Sequence, residues 1–329
     1  MVKIKDVATE AGVSVGTVSK VLHNAYVKPE NRIKVEEAIS RLNYHVNTYA
    51  QGLRASQTFT VAIIVPDLIN PFFALLVNYV EKVLTSFGYR LLVCNSHCHA
   101  DREYSYIKMV MQNKVDGLIA VTYSNTNMYK KAGIPIVSID RTFDDNSCCV
   151  SSDNEMGGRL AAEKFIQTGC NHVVYIRNGS KLEGETLKRG TSFMKTCKDA
   201  GIAATTMDFG EETTLDSRKI EVINSFLEQS VQEGKFIYDG IFTSSDVHAI
   251  VVKRKLEQLK MKVPENVQII GYDGIRILNF GEYAVSGIAQ PVNEMAVICV
   301  DNLIKQIEKQ PYERKIVLPV KFVEGGTTR

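Results

Sequence analysis

The 329-residue sequence holds no apolar run of the ~18–20 residues that a membrane-spanning helix needs, which excludes a transmembrane helix. Its first residues, MVKIKDVATE, lack the apolar segment of a secretory signal, so the chain is expected to stay in the cytoplasm. Excess charge of one sign is also missing: 39 Lys+Arg face 37 Asp+Glu, a net charge of +2. Neither H-E-x-x-H nor G-x-G-x-x-G occurs, which removes two common metal and dinucleotide signatures. Cysteine is limited to seven, an odd count in a long chain, and reduced thiols are expected in that compartment. What remains is an ordinary globular composition, 45% hydrophobic and 23% charged. The length suits two or three domains, since single cores stop growing near ~250–300 residues.

Dividing the chain makes the charge informative. Residues 1–57 hold eight Lys+Arg against five Asp+Glu, whereas the remainder holds 31 against 32. A small basic head on a near-neutral body points to a polyanion partner. Within the head, Ile4, Val7, Ala8 and Ala11 recur at helical spacing, and Gly12 then breaks the helix. Ser14 can cap a second helix from Val15 to Leu22, with Val18 and Leu22 inward. A third stripe runs through Val35, Ala38, Ile39 and Leu42. Two helices joined by a short Gly-containing turn make a helix-turn-helix.

From Phe59 onward, short apolar β runs alternate with helices. Strands are expected at Val61–Val65, Arg90–Cys94, Gly117–Val121, Ile136–Ile139, Val173–Ile176, Gly240–Thr243, Val267–Tyr272 and Val285–Ala289. Helices such as Phe72–Phe87, Glu155–Thr168, Asp246–Lys260 and Val292–Lys309 lie between many of them. The alternation predicts an α/β body with parallel sheets and right-handed crossovers, and its ~270 residues suit two lobes. Binding sites in such sheets lie at the carboxyl ends of strands.

The runs IKDVATEAGVSVGTVSKVLHN and VEEAISRLNYHVNTYAQGLRASQT resemble the DNA-binding region of the LacI family of bacterial transcription regulators. The resemblance implies a head at 1–46, a hinge helix and linker at 47–58, and an effector-binding and dimerisation body at 59–329, with lobe crossovers near 160, 290 and 320. Val15, Gly16 and Lys20 match the base-reading positions: Lys20 can donate to guanine and Val15 can meet a thymine methyl, while Gly16 allows close approach. Ser14, Thr17 and Ser19 are expected at phosphates, and Asn24 belongs to the same surface. A purely structural reading makes Ser14 only a cap and Lys20 only solvated.

In the hinge-like Thr48–Ser56, Leu53 matches the family's minor-groove wedge and Arg54 a phosphate contact. Nine residues are too few to hold a helix in water, so this segment is expected to fold on DNA. Val46 stands where the family usually has Pro, and Gln51-Gly52 replace a commoner Arg-containing pair.

The body resembles the ligand domain shared by this family and the periplasmic ribose-binding proteins. The carrying segments are Asp67 to Phe73, Ile139-Asp140-Arg141, Arg189 with Phe193, Ser245-Asp246, Gly271 to Gly274, and Ile288 to Pro291. The resemblance assigns effector contacts to Asn70, Phe72, Phe73, Asp140, Arg141, Arg189, Ser245, Asp246, Asp273 and Gln290. The chemistry suits a sugar: aromatic faces stack on CH surfaces, and carboxylates, amides and guanidinium forks meet hydroxyls. The alternative is that the Phe residues are core and the Asp residues are caps. Lys181, Lys188 and Arg189 lie together and suit a phosphorylated sugar, against the simpler reading of a solvated helix start.

Three other signals carry less. Gly12-Val-Ser14-Val-Gly16 fits the hydrolase G-x-S-x-G but lacks a preceding strand. Gly179 to Thr186 nearly fits a phosphate loop, with Glu185 in place of its Lys. Cys94, His97, Cys98 and His99 have zinc-compatible spacing without a second cluster. No catalytic set, metal or cofactor is expected.

The sequence therefore predicts a dimeric regulator, with no leucine-heptad tail for tetramers, that binds double-stranded operator DNA and a sugar or sugar-phosphate effector. It is expected to repress a carbohydrate operon. The alternatives are a catabolite-control type using a protein corepressor and, more remotely, a sugar-binding protein or α/β enzyme.

Overall fold

The computed structural model describes residues 2–22, 25–44, 57–112, 115–122, 124, 127–144, 146–179, 184–211, 215–277 and 281–329. Contacts divide the chain into two units, Met1–Thr58 and Phe59–Arg329. The hinge-like Thr48–Ser56, together with Asn24, Leu53, Arg54, Val46 and Lys181, lies outside the described residues.

In the first unit, helices span Ile4–Ala11, Val15–Leu22 and Pro29–Arg41. Gly12 ends the first with φ +64°, a conformation that costs little only without a Cβ. The Thr17 amide donates to Ser14 Oγ at 3.1 Å and caps the second helix. Pro29 starts the third, where its missing N–H costs nothing. Val7, Val18 and Val35, one from each helix, are fully buried at the centre. The inward partner of Val18 is Val21 rather than Leu22: Val21 is buried among the three helices, and Leu22 is left at the rim.

The second unit contains strands β1 (Thr60–Val65), β2 (Arg90–Asn95), β3 (Gly117–Val121), β4 (Ile136–Ile139), β5 (Cys148–Ser152), β6 (His172–Gly179) and β7 (Ala203–Glu211). After the short hairpin of β8 (Val231–Gln232) and β9 (Lys235–Phe236) come β10 (Gly240–Thr243), β11 (Gln268–Asp273), β12 (Gly287–Ala289), β13 (Lys315–Leu318) and β14 (Lys321–Val323). One six-stranded sheet runs β13-β5-β4-β3-β1-β2, all pairs parallel. The other runs β14-β12-β11-β10-β6-β7, parallel except for β12 with β14.

Both sheets are covered on two faces, which is why their central strands are continuously apolar. Val61, Ile63 and Val65 pack with the helices Pro71–Ser86 and Val292–Ile307, while Ala62 and Ile64 pack on the opposite face. Likewise Val173 and Tyr175 face one cluster of the second lobe and Val174 and Ile176 the other.

The chain passes between the lobes at Asp153, at Gln290-Pro291 and at Pro319-Val320. The first passage precedes position 160 because the helix Asn154–Gln167 already packs in the second lobe, through Ala161, Ala162 and Phe165. Strand β12 begins at Gly287, two residues later than the apolar run; the Ser286 amide donates to Thr327 Oγ1 at 2.9 Å, while its carbonyl accepts the Gly271 amide at 2.8 Å. Among the described residues no helix is long and apolar enough to cross a membrane.

Candidate functional site

On the head, Gly16 and Lys20 are exposed, while Val15, Thr17 and Ser19 are half-buried. Val15 packs partly against the head core, so only part of its side chain is free for a base. The Ser14 and Thr17 hydroxyls lie 2.9 Å apart, and Ser14 Oγ also serves as the cap.

In the body, a cavity of about 210 Å³ lies between the lobes. Its lining includes Asn70, Phe72, Phe73, Asp140, Arg189, Ser245, Asp273 and Gln290, eight of the ten effector positions expected from sequence. Asn70 Oδ1 caps the helix Pro71–Ser86 by accepting the Phe72 amide at 3.0 Å. That cap sets Phe72 and Phe73 on the first turn, where their rings meet edge to face at 5.3 Å.

Two aspartates stand at strand ends in strained backbone. Asp140 follows β4 with φ +59°, and Asp273 closes β11 with φ +124°. Such conformations concentrate at functional sites. Asp273 Oδ1 accepts from Gln290 Nε2 at 2.8 Å, and Ser152 Oγ donates to Gln290 Oε1 at 2.6 Å. One amide at a lobe crossing thus joins a first-lobe hydroxyl to a second-lobe carboxylate. Burial pushes the Asp273 carboxyl up to about 7 despite the opposing influence of Arg189.

Arg189 is buried and held from three sides. Its Nε and Nη2 donate to Asn154 Oδ1 at 3.1 and 2.7 Å, and Nη1 donates to the Ser244 carbonyl at 2.6 Å. The guanidinium stacks on Tyr272, 3.2 Å from the ring centre. Gly158 makes this placement possible, because a Cβ there would stand 2.0 Å from the Arg189 carbonyl oxygen.

Arg141 and Asp246 do not line the cavity. Arg141 Nη1 instead donates to the carbonyls of Ser124, at 2.8 Å, and Thr122, at 3.4 Å, which hold its fork on the first lobe. Asp246 Oδ2 accepts the Ile275 amide at 2.7 Å, and its other oxygen faces Gly271. Burial, then Asp273, raises the Asp246 carboxyl well above the usual range. It fixes the segment after β11 from behind. Lys188 is taken by Glu185 at 2.6 Å and does not line the cavity either.

Among the described residues no disulfide joins any of the seven cysteines, and burial raises Cys94 to about 11. Among the described residues no group of three or more His, Cys, Asp or Glu side chains could hold a metal.

Residues 3–47 match the model described as bacterial regulatory proteins, lacI family, and residues 162–328 match the periplasmic binding protein-like domain. The sucrose operon repressor of Pediococcus pentosaceus is 32% identical, over 99% of this chain and 99% of its own. The ribose operon repressor of Lactococcus lactis subsp. lactis is 34% identical, over 100% of this chain and 98% of its own. The chain belongs to the LacI family. It is a DNA-binding regulator whose relatives are named as sugar-operon repressors. The crystal structure of a periplasmic binding protein/LacI transcriptional regulator from Alkaliphilus metalliredigens, complexed with D-xylulofuranose, superposes with a TM-score of 0.69 at 26% identity. It covers 82% of this chain and 99% of its own.

This LacI-family chain also carries cavity residues that sequence reasoning passed over, chiefly Tyr175, Arg177, Asn178, Ser244 and His248. Two signals were available for them. Arg177 and Asn178 end β6, and strand ends bear sites in such sheets. His248 is three residues after the cap Ser245, on the same face of the first turn.

Proposed function

We propose that the protein represses a carbohydrate-use operon as a homodimer and is controlled by a sugar bound between the lobes of its body. The observation that carries the reading is that eight of the positions the resemblance assigns to an effector line one interlobe cavity. Phe72 and Phe73 offer ring faces to a sugar, and Asn70, Asp140, Asp273, Gln290 and Arg189 supply the acceptors and forked donors for its hydroxyls. Ser245 steadies the second-lobe wall through its contact with His248, and Arg141 and Asp246 act as positioning residues behind the wall.

On the DNA side, Lys20, Val15 and Gly16 read bases, while Thr17, Ser19 and Asn24 with Ser14 fix the head on phosphates. Leu53 wedges into the minor groove with Arg54 on the backbone. Closure of the lobes on effector changes how the paired hinges meet DNA, and operator and effector then alter each other's affinity by one factor.

The reading is tested by thermal melting of the full chain against ribose, sucrose and their phosphates. Ligand at 100 times its Kd adds about 2.7 kcal/mol. A shift that Asp140→Ala abolishes, matched by a change in affinity for an operator selected from random duplexes, supports it. No shift with any sugar, or a shift without an operator effect, overturns control by sugar and favours a protein corepressor.

A further inference from the structure

Strands β6 and β10 are neighbours, with Ile176 opposite Thr243, so the residues that follow them meet on the second-lobe wall of the cavity. Those residues are Arg177, Asn178, Ser244 and His248, and all four line the cavity. The Ser244 hydroxyl donates to Asn178 Oδ1 at 3.2 Å, which leaves the Asn178 N–H groups for the cavity. The Ser245 hydroxyl lies 2.9 Å from His248 Nδ1. The Ser244 hydroxyl lies 3.1 Å from the same nitrogen, so two hydroxyls hold the ring in place. The Phe209 ring, edge-on at 4.8 Å, fixes the imidazole plane.

The wall is also positive. Arg177 and Arg189 line it, and burial, with Lys219 and Arg189 adding to it, lowers His248 to about 3, so the imidazole is neutral and adds no positive charge of its own. Arg177 Nε is buried without a hydrogen-bond partner. Its ion-pair partner, Asp208, stands 3.6 Å from Nη2, has a side chain 46% exposed, and also accepts the Gly210 amide. A pair of that kind contributes little, and the part of the Arg177 side chain that lines the cavity can take a second anion.

We propose that this corner is an anion subsite, and that the effector carries a phosphate or carboxylate seated against Arg177, Asn178 and His248. The inference rests on the cleft being the effector site and narrows the effector to an anionic sugar derivative. The hydroxyl-bearing ring then lies toward Phe72, Asp140 and Asp273. Lys188, which the sequence suggests for a phosphate, does not line this cavity and pairs with Glu185.

Calorimetric titration of the full chain tests it with ribose and ribose 5-phosphate, sucrose and sucrose 6-phosphate, glucose, glucose 6-phosphate and glucuronate, and inorganic phosphate. At least one anionic member should bind about tenfold or more tightly than its neutral parent. Glucose 6-phosphate against glucuronate separates phosphate from carboxylate. Arg177→Gln should bring anion and parent within about twofold of each other, and Arg177→Lys should restore part of the gap. Asn178→Asp, which places a negative charge in the same corner, should abolish the preference without touching Arg177.

A neutral sugar binding as tightly as its phosphate, unaffected by Arg177→Gln, overturns the anion subsite and leaves the sugar cleft standing. Absence of binding by every member overturns both.

Discussion

The cavity's charged side chains are individually costly, and their protonation gives the site a pH signature. Asp273 has a folded value of about 7, above the ~3.9 of an exposed aspartate. The native chain therefore keeps a proton that the unfolded chain releases between about pH 4 and 7. Stability from this group is fully present below that window and is lost as pH rises through it, by up to roughly 4 kcal/mol. Asp246, also raised, acts with the same sign. Asp273→Asn should flatten the decline of Tm between pH 4.5 and 7.5, and a profile as steep as the parent's would assign the slope elsewhere. On the head, Ser14 and Lys20 separate two kinds of loss. Ser14→Ala removes a cap and should cost about 1 kcal/mol, seen as faster hydrogen exchange in Val15–Leu22. Lys20→Ala should leave exchange unchanged while relaxing selectivity at one base pair by ~1–3 kcal/mol in competition with single-base operator variants.

At the scale of elements, helices and central strands were legible because burial writes a plain pattern into them. Gly117–Val121, Ile136–Ile139 and Gly240–Thr243 stand where apolar runs predict them, fully covered or nearly so. The strands that went unread are polar or short. β5 is Cys148–Ser152, whose Ser151 and Ser152 are buried yet do not look like core, and β7, β13 and β14 are sheet edges. The helices Ala100–Gln112, Thr186–Asp199 and Ser217–Gln229 carry many charges on their outer faces, which dilutes the apolar stripe. The site was legible where loops begin helices, as at Asn70 and Ser245. It was not legible where a side chain turns away, as Arg141 does toward two carbonyls that no local pattern announces. Helix packing gives the prediction at this scale. Gly158→Ala sets a Cβ against the Arg189 backbone, which cannot rotate aside, so Asn154–Gln167 and Thr186–Asp199 must separate. The cost should be about 3 kcal/mol by urea unfolding, accompanied by weaker ligand binding as Arg189 moves. Full retention of both would show that the helices can slide.

For the whole molecule, the proposed control is a linkage between two sites, and linkage is reciprocal. If effector changes operator affinity by a factor within the ~5–150-fold range, operator must change effector affinity by that same factor. Titrating effector with and without saturating operator checks this, and unequal factors would mean that a third partner is being counted. The three passages of the chain between the lobes have a further consequence, for synthesis. The first lobe is incomplete without Val292–Ile307 and β13, and the second without β14 and Thr327, whose hydroxyl donates to the Ile269 carbonyl at 2.7 Å. Neither lobe can close its sheet on the ribosome until nearly all of the chain has emerged, whereas the head helices are contiguous and come first. A chain broken before β13 would therefore carry the contiguous head helices on a body with neither sheet complete.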